Sequence, residues 1–134
     1  MPIVGFNFEK ILIEKENKIT GKLNIKNDLS IIDLEEEKLN VSKSEGILKF
    51  KFRYAVNYEP KVGKILLEGN LLLMEDEKKA KELLDGWNKN KKLPKELTPQ
   101  ILNTILAKCN IKALNLSQDV NLPPHIRLPL LKTK

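Results

Sequence analysis

Few residues in this 134-residue chain could do chemistry. His125 is its one histidine and Cys109 its one cysteine. Nucleophilic catalysis needs a base within hydrogen-bond reach of the nucleophile and a third group to orient that base. A lone histidine between Pro124 and Ile126, in a proline-rich stretch, gives no such set to assemble. Cys109 falls among apolar residues at helical spacing, where cysteine behaves as a small buried hydrophobe rather than a reactive thiol. No Cys/His cluster has metal-ligand spacing. Six scattered glycines form neither a G-x-G-x-x-G turn nor a P-loop. The acids of Glu35–Glu37 and Glu75–Glu77 adjoin in sequence, which reads as solvated surface rather than a tuned acid–base pair. The sequence therefore points to no enzyme, no catalytic residue, no metal and no cofactor, and to a function carried by surfaces.

Charge narrows the partners. Lys and Arg total 24 against 18 Asp and Glu, a net charge of +6 that favours acidic partners. All but two of those cations are lysines, the exceptions being Arg53 and Arg127, so the bidentate reading of guanine or phosphate that Arg provides is scarce. Many lysines sit beside glutamates, as in Glu14-Lys15-Glu16, the pattern of a solvated surface. Hydrophobic residues make up 41% of the chain, and no apolar run approaches the roughly 20 residues needed to span a bilayer, so no membrane insertion is expected. A single cysteine forms no internal disulfide, and the start Met1-Pro2-Ile3-Val4-Gly5 has no signal-peptide pattern, so a cytoplasmic location is expected.

The elements that must build these surfaces are strands first, then helices. From Gly46 to Pro60, Leu48, Phe50, Phe52, Tyr54, Val56 and Tyr58 alternate with Lys49, Lys51, Arg53, Ala55, Asn57 and Glu59, a long strand with one apolar face. A turn at Pro60–Gly63 joins it to Ile65, Leu67, Gly69, Leu71 and Leu73, where Gly69 marks a bulge or a close backbone approach. Upstream, Val4, Phe6 and Phe8 alternate before the parity slips to Ile11 and Ile13, the signature of a bulge. Asn17-Lys18 reads as a turn into a returning strand at Ile19, Gly21, Leu23 and Ile25, and Leu29, Ile31, Ile32, Leu34, Leu39 and Val41 contain a further strand. Asp76 caps a helix to about Asn88, and Thr98, as N-cap before Pro99, starts a longer one through Cys109. Residues 122–131 hold three prolines, which exclude a helix. The fold expected is one α+β domain: an antiparallel meander of four to five strands over 1–75, a short and a long helix over 76–121, and an extended tail over 122–134.

Two surfaces carry the functional expectation. Phe50, Phe52, Tyr54 and Tyr58 are either core or the lining of a groove for extended polypeptide. The wide apolar stripe of the long helix, with Leu106 and Leu114, suggests self-association. The strand-then-helix order, Pro99-Gln100-Ile101-Leu102-Asn103, Leu114-Asn115-Leu116 and Pro123-Pro124 resemble the SecB-like fold of protein-export chaperones. Tyr58-Glu59-Pro60 and Leu122-Pro123-Pro124 also resemble a family of small archaeal proteins. The resemblance implies a non-enzymatic, chaperone-like dimer or tetramer that holds unfolded chains in apolar grooves. In one respect the chain departs from that family: the export chaperones are acidic and dock on a motor through an acidic surface, whereas this chain carries +6, which leaves engagement of a motor open. The alternative is a basic protein bound to RNA or the ribosome through Lys49, Lys51, Arg53, Lys89, Lys91 and Lys92.

Overall fold

In a computed structural model, which describes residues 3–37 and 45–128, the alternation in the middle of the chain becomes strand β3 (Glu45–Glu59). Leu48, Phe50, Phe52, Tyr54 and Val56 are each 0% exposed and Tyr58 1%, so six consecutive inward positions are sealed. Strand β4 (Gly63–Asp76) pairs antiparallel with β3 from Tyr58↔Gly63 to Glu45↔Asp76, and Ile65, Leu67, Leu71 and Leu73 are buried on the same face. The hairpin turns over a cis Glu59-Pro60 bond and Lys61 at φ 46, and the Val62 N–H donates to the Tyr58 carbonyl at 2.9 Å.

Strand β1 (Ile3–Lys15) pairs with β4, and strand β2 (Asn24–Glu37) pairs with β3, so the order is β1-β4-β3-β2, antiparallel throughout. This corrects the expected meander in one respect: β1 does not form a hairpin with the strand that follows it. The physical reason lies in β4. Left at the sheet edge, its leucine-rich backbone would be open to solvent, whereas β1 covers it and brings Phe6 and Phe8 to Phe52, at ring-centroid distances of 5.2 and 6.2 Å. The connection 16–23 consequently crosses the end of the β3–β4 hairpin. The Glu16 and Asn17 N–H groups both donate to the Val62 carbonyl, and the Asn17 side chain donates to the Lys61 carbonyl, so Asn17 ties a crossover instead of making a tight turn. Ile19 and Gly21 lie in that crossover, and the strand readings around 19–25 and 29–34 merge into β2; Leu39 and Val41 lie outside the described residues.

The parity slip in β1 is a bulge between Phe8 and Lys10. It sends Glu9 to the face away from the aromatics, where its carboxylate accepts a hydrogen bond from the Asn70 side chain. Gly69 sits opposite Phe8, and a Cβ there would lie 2.1 Å from the Asn7 carbonyl oxygen, so the close approach of β1 requires glycine.

Helix α1 (Glu77–Asn90) is capped as read: the Asp76 carboxylate accepts the Lys79 N–H at 2.8 Å. It ends at Lys91 in the left-handed region, and Ala80, Leu83 and Trp87 are buried. Helix α2 (Thr98–Asp119) has Leu97, not Thr98, at the N-cap, because the Thr98 N–H already donates to the Pro94 carbonyl at 3.1 Å, which draws Thr98 into the helical turn; its hydroxyl donates to the same carbonyl at 2.9 Å. Ile101, Ile105, Cys109, Ala113 and Ser117 form its buried row, one residue per turn. α1 packs against β2 and β3, and α2 against β4. Both helices cover the apolar face of the sheet, and one core cluster joins β2, β3, β4 and both helices. Among the described residues, no helix is long and apolar enough to cross a membrane.

Candidate polypeptide-binding surface

The four aromatics expected to line a peptide groove lie inside the molecule. Phe50, Phe52, Tyr54 and Tyr58 are at most 1% exposed, which corrects the reading of the aromatic face as open: the helices cover it. The physical reason is the size of the apolar stripe, which needs both helices to be removed from water. Phe50 and Phe52 are purely core. Tyr54 and Tyr58 differ, because each hydroxyl reaches past the core. Tyr54 donates to the Asn110 side-chain oxygen on α2 at 2.8 Å, and Tyr58 donates to the Pro123 carbonyl in the tail at 2.7 Å.

Asn110 is the hinge of that arrangement. Its oxygen also meets His125 Nε2 at 2.9 Å. An amide oxygen only accepts, so His125 carries its proton on Nε2, which leaves Nδ1 buried and without a partner. The His125 and Tyr54 rings stand edge to face with centroids 6.1 Å apart. Burial holds the His125 pKa below its ordinary value and pushes the Tyr58 hydroxyl up to about 12. It pushes Cys109, which is 0% exposed, up to about 12 as well, so the thiol stays protonated and chemically quiet. Asn110 could not be singled out beforehand: an Asn inside an amphipathic helix is ordinary until the tail folds back on it.

The opposite face of the sheet carries the basic row of β3. Lys49 lies 3.1 Å from Glu37, Lys51 3.1 Å from Glu35, and Arg53 3.6 Å from Glu68, so all three cations have carboxylate partners on neighbouring strands. The hydrogen bond and charge of Glu35 raise the Lys51 pKa. Lys89, Lys91 and Lys92 stand exposed where α1 ends, on the helix side, with the Lys91 ammonium 5.4 Å from the Trp87 ring centroid. The six cations named for a nucleic-acid surface thus divide between the two faces of the sheet.

A groove of about 260 Å³ lies on the helix side at the edge of the sheet. Leu29 and Ile31 of β2, Trp87 of α1, Leu93 of the connecting loop and Leu102 of α2 supply apolar walls, with Thr98 and Lys91 at its margin. β2 is the last strand on this side, so its outer backbone edge has no partner strand among the described residues. Nothing in the sequence marks these residues as a site, because Leu29 and Ile31 are ordinary strand positions until the helices stop short of them. Leu106 is 38% exposed on α2 and Leu114 is half-buried, and Ile111, at 62%, adds to the apolar surface of the same helix. Among the described residues no group of three or more His, Cys, Asp or Glu could hold a metal ion.

Comparison with known proteins supports the fold. A SecB-like chaperone of Mycobacterium tuberculosis, solved in complex with a ChAD peptide from the HigA1 antitoxin, superposes with a TM-score of 0.53 over 99% of this chain and 91% of its own, at 12% sequence identity. The four-stranded antiparallel sheet followed by two helices is therefore a SecB-like α+β fold. No protein-family model matches the chain, and no curated protein matches it in sequence.

Proposed function

We propose that this protein holds extended or unfolded polypeptide through apolar surface, as a cytoplasmic dimer or tetramer that catalyses no reaction. The observation that carries the reading is the groove of Leu29, Ile31, Trp87, Leu93 and Leu102 beside the unpaired edge of β2. An extended chain could add along that edge through backbone hydrogen bonds and place alternate side chains in the groove. Recognition would then depend on apolarity and not on sequence. A segment burying ~400 Å² of apolar surface gains ~10 kcal/mol at about 25 cal/mol per Å². That gain is set against an association cost of about 4–15 kcal/mol, so holding is weak and exchangeable unless several copies act together. The exposed Leu106 and Ile111 and the half-buried Leu114 are the surface we assign to contact between copies. The likeness to a chaperone solved with a bound peptide supports the same direction.

The test is suppression of aggregation. A thermally unfolding client is followed by light scattering at subunit equivalence, in low and in high salt. Suppression is expected at both, and its absence at both rejects the reading. Binding to RNA or the ribosome is the rival, now resting on Lys89, Lys91 and Lys92, since Lys49, Lys51 and Arg53 are ion-paired. Contact of these three lysines with three phosphates predicts affinity falling about fortyfold between 50 and 200 mM salt.

A further inference from the structure

After α2 the chain reverses at Asn121, whose φ of 58 is left-handed, and returns across the helix side of the sheet. Three anchors seat it. Leu122, 5% exposed, fills a notch that only glycine allows: a Cβ on Gly63 would lie 3.2 Å from Leu122 Cδ1 and 2.5 Å from the Glu14 carbonyl oxygen. The Pro123 carbonyl accepts the Tyr58 hydroxyl, and His125, 6% exposed, fits between Tyr54 and Asn110. Pro124, between the last two, is exposed. Prolines at 123 and 124 have no N–H, so carbonyls are the backbone handles left there, and Tyr58 takes one. An apolar side chain inward, a carbonyl read by a hydroxyl, a residue outward and a ring inward is how a bound extended peptide sits in a groove.

The rail leads somewhere. Pro123 lies at Tyr58 and His125 at Tyr54, so the segment travels along β3 toward Phe52. The β2 partners of Tyr54 and Phe52 are Leu29 and Ile31, which are walls of the open groove. On α2, Leu102 precedes Asn110 by eight residues, about two turns, and is another wall. Beyond His125, Ile126 is half-buried, while Arg127 and Leu128 are exposed. The tail bends at His125 and Ile126, and the groove lies ahead of that bend, over the β2 partners of Tyr54 and Phe52 on the same inward face.

We propose that residues 122–128 are an intramolecular competitor, seated on the Tyr58–Tyr54 rail in the half of a polypeptide channel nearest the β3–β4 turn, and that an incoming extended chain replaces them. The inference rests on the polypeptide-holding reading and adds its regulation. It also returns a role to two of the aromatics: Tyr58 reads a backbone carbonyl of any sequence, while Tyr54, through Asn110, seats a ring. The segment that replaces the tail is extended and apolar, and needs no particular sequence, because the hydroxyl of Tyr58 reads a backbone carbonyl.

The probe is the fluorescein-labelled synthetic peptide of residues 120–128, titrated by anisotropy into the full chain. In the variant L122D/H125A the tail is loosened, and the probe is expected to bind at least about tenfold tighter than to the unaltered protein, because a self-occupied site lowers apparent affinity by the fraction left free. Y58F in that background is expected to return about fivefold. A folded variant that binds the probe no tighter, while the unaltered protein still suppresses client aggregation, overturns the competitor and leaves holding intact. Loss of aggregation suppression in the unaltered protein overturns the holding reading itself. A second measurement needs no substitution: the NMR shifts of the His125 ring, set by the Tyr54 ring beside it, in the labelled, unaltered protein with saturating unlabelled probe. Loss of the ring-current shift is expected on displacement, and an unchanged shift with the probe bound overturns the proposal whatever the variants do.

Discussion

The two faces of β3 are built from neighbouring residues and do opposite things. Even-numbered positions from Leu48 to Tyr58 are sealed beneath the helices, while Lys49, Lys51 and Arg53 lie in an ion-paired lattice open to water. The inward face draws its energy from apolar burial, which scales roughly with the area removed from water and is not screened by salt. The outward face gains little from each pair, because exposed charges are already well solvated. The difference teaches where to look for function. A basic row that has been neutralised strand by strand is a poor place to seek a polyanion, and the inward face matters at its margins, where the helices stop and Tyr54, Tyr58, Leu29 and Ile31 meet the tail and the groove.

Truncation tests that contrast most sharply. Phe52→Ala removes a ring packed against Phe6 and Phe8, and a loss of about 3–5 kcal/mol is expected in urea unfolding. Arg53→Ala, the next residue on the other face, is expected to cost at most about 1 kcal/mol. Comparable losses from the two would break the division between the faces. Gly69→Ala should fall next in order, costing about 1–3 kcal/mol, since the new Cβ meets the Asn7 carbonyl backbone and β1 must shift. A shift in β1 should also appear as faster amide exchange along Phe6–Lys10.

Much of this architecture could be read beforehand, and what could not is instructive. The two-residue period of β3, the Asp76 cap and the bulge after Phe8 are local signals, so they survive folding unchanged. The position of β1 beside β4 was not readable, because it depends on which strand edge most needs covering, a competition among residues about sixty positions apart. Thr98 misled for a local reason: Pro94, four residues earlier, offers a carbonyl that captures its N–H as well as its hydroxyl and draws Thr98 into the helical turn. The site was harder still. Periodicity separates an inward face from an outward one, but not a covered stretch of that face from its uncovered end, and Asn110 gains its meaning only when Tyr54 and His125 arrive from elsewhere in the chain.

Acid should act on the inward margin through His125. His125 is neutral and buried, its Nδ1 has no acceptor within reach, and the groups around it, Tyr54 and Asn110, carry no charge to balance an imidazolium. Its folded pKa is lowered below 6.5, so as pH falls past about 6.5 the unfolded chain takes a proton that the folded chain refuses. Stability is therefore expected to be full above that pH, to decline until the folded pKa is passed, and to change no further from this group below it. His125→Gln, which can still donate to Asn110, should flatten that part of the curve in melts from pH 7.5 to 5. An unchanged slope would remove His125 from the tail's seat.

The smallest effect belongs to the outward face, and it sharpens the comparison because it is an expected silence. Lys49→Glu/Lys51→Glu reverses two cations that now face Glu37 and Glu35, so the pairs are lost and like charges meet. On an exposed sheet face this is expected to cost about 1 kcal/mol in low salt, and less above 0.5 M as screening shortens the reach of each charge to a few ångström. Aggregation suppression should be unaltered, because neither residue lines the groove or the tail's rail. If the variant folds and nevertheless loses client holding, the outward face takes part in recognition, and the assignment of function to the inward margin has to be given up.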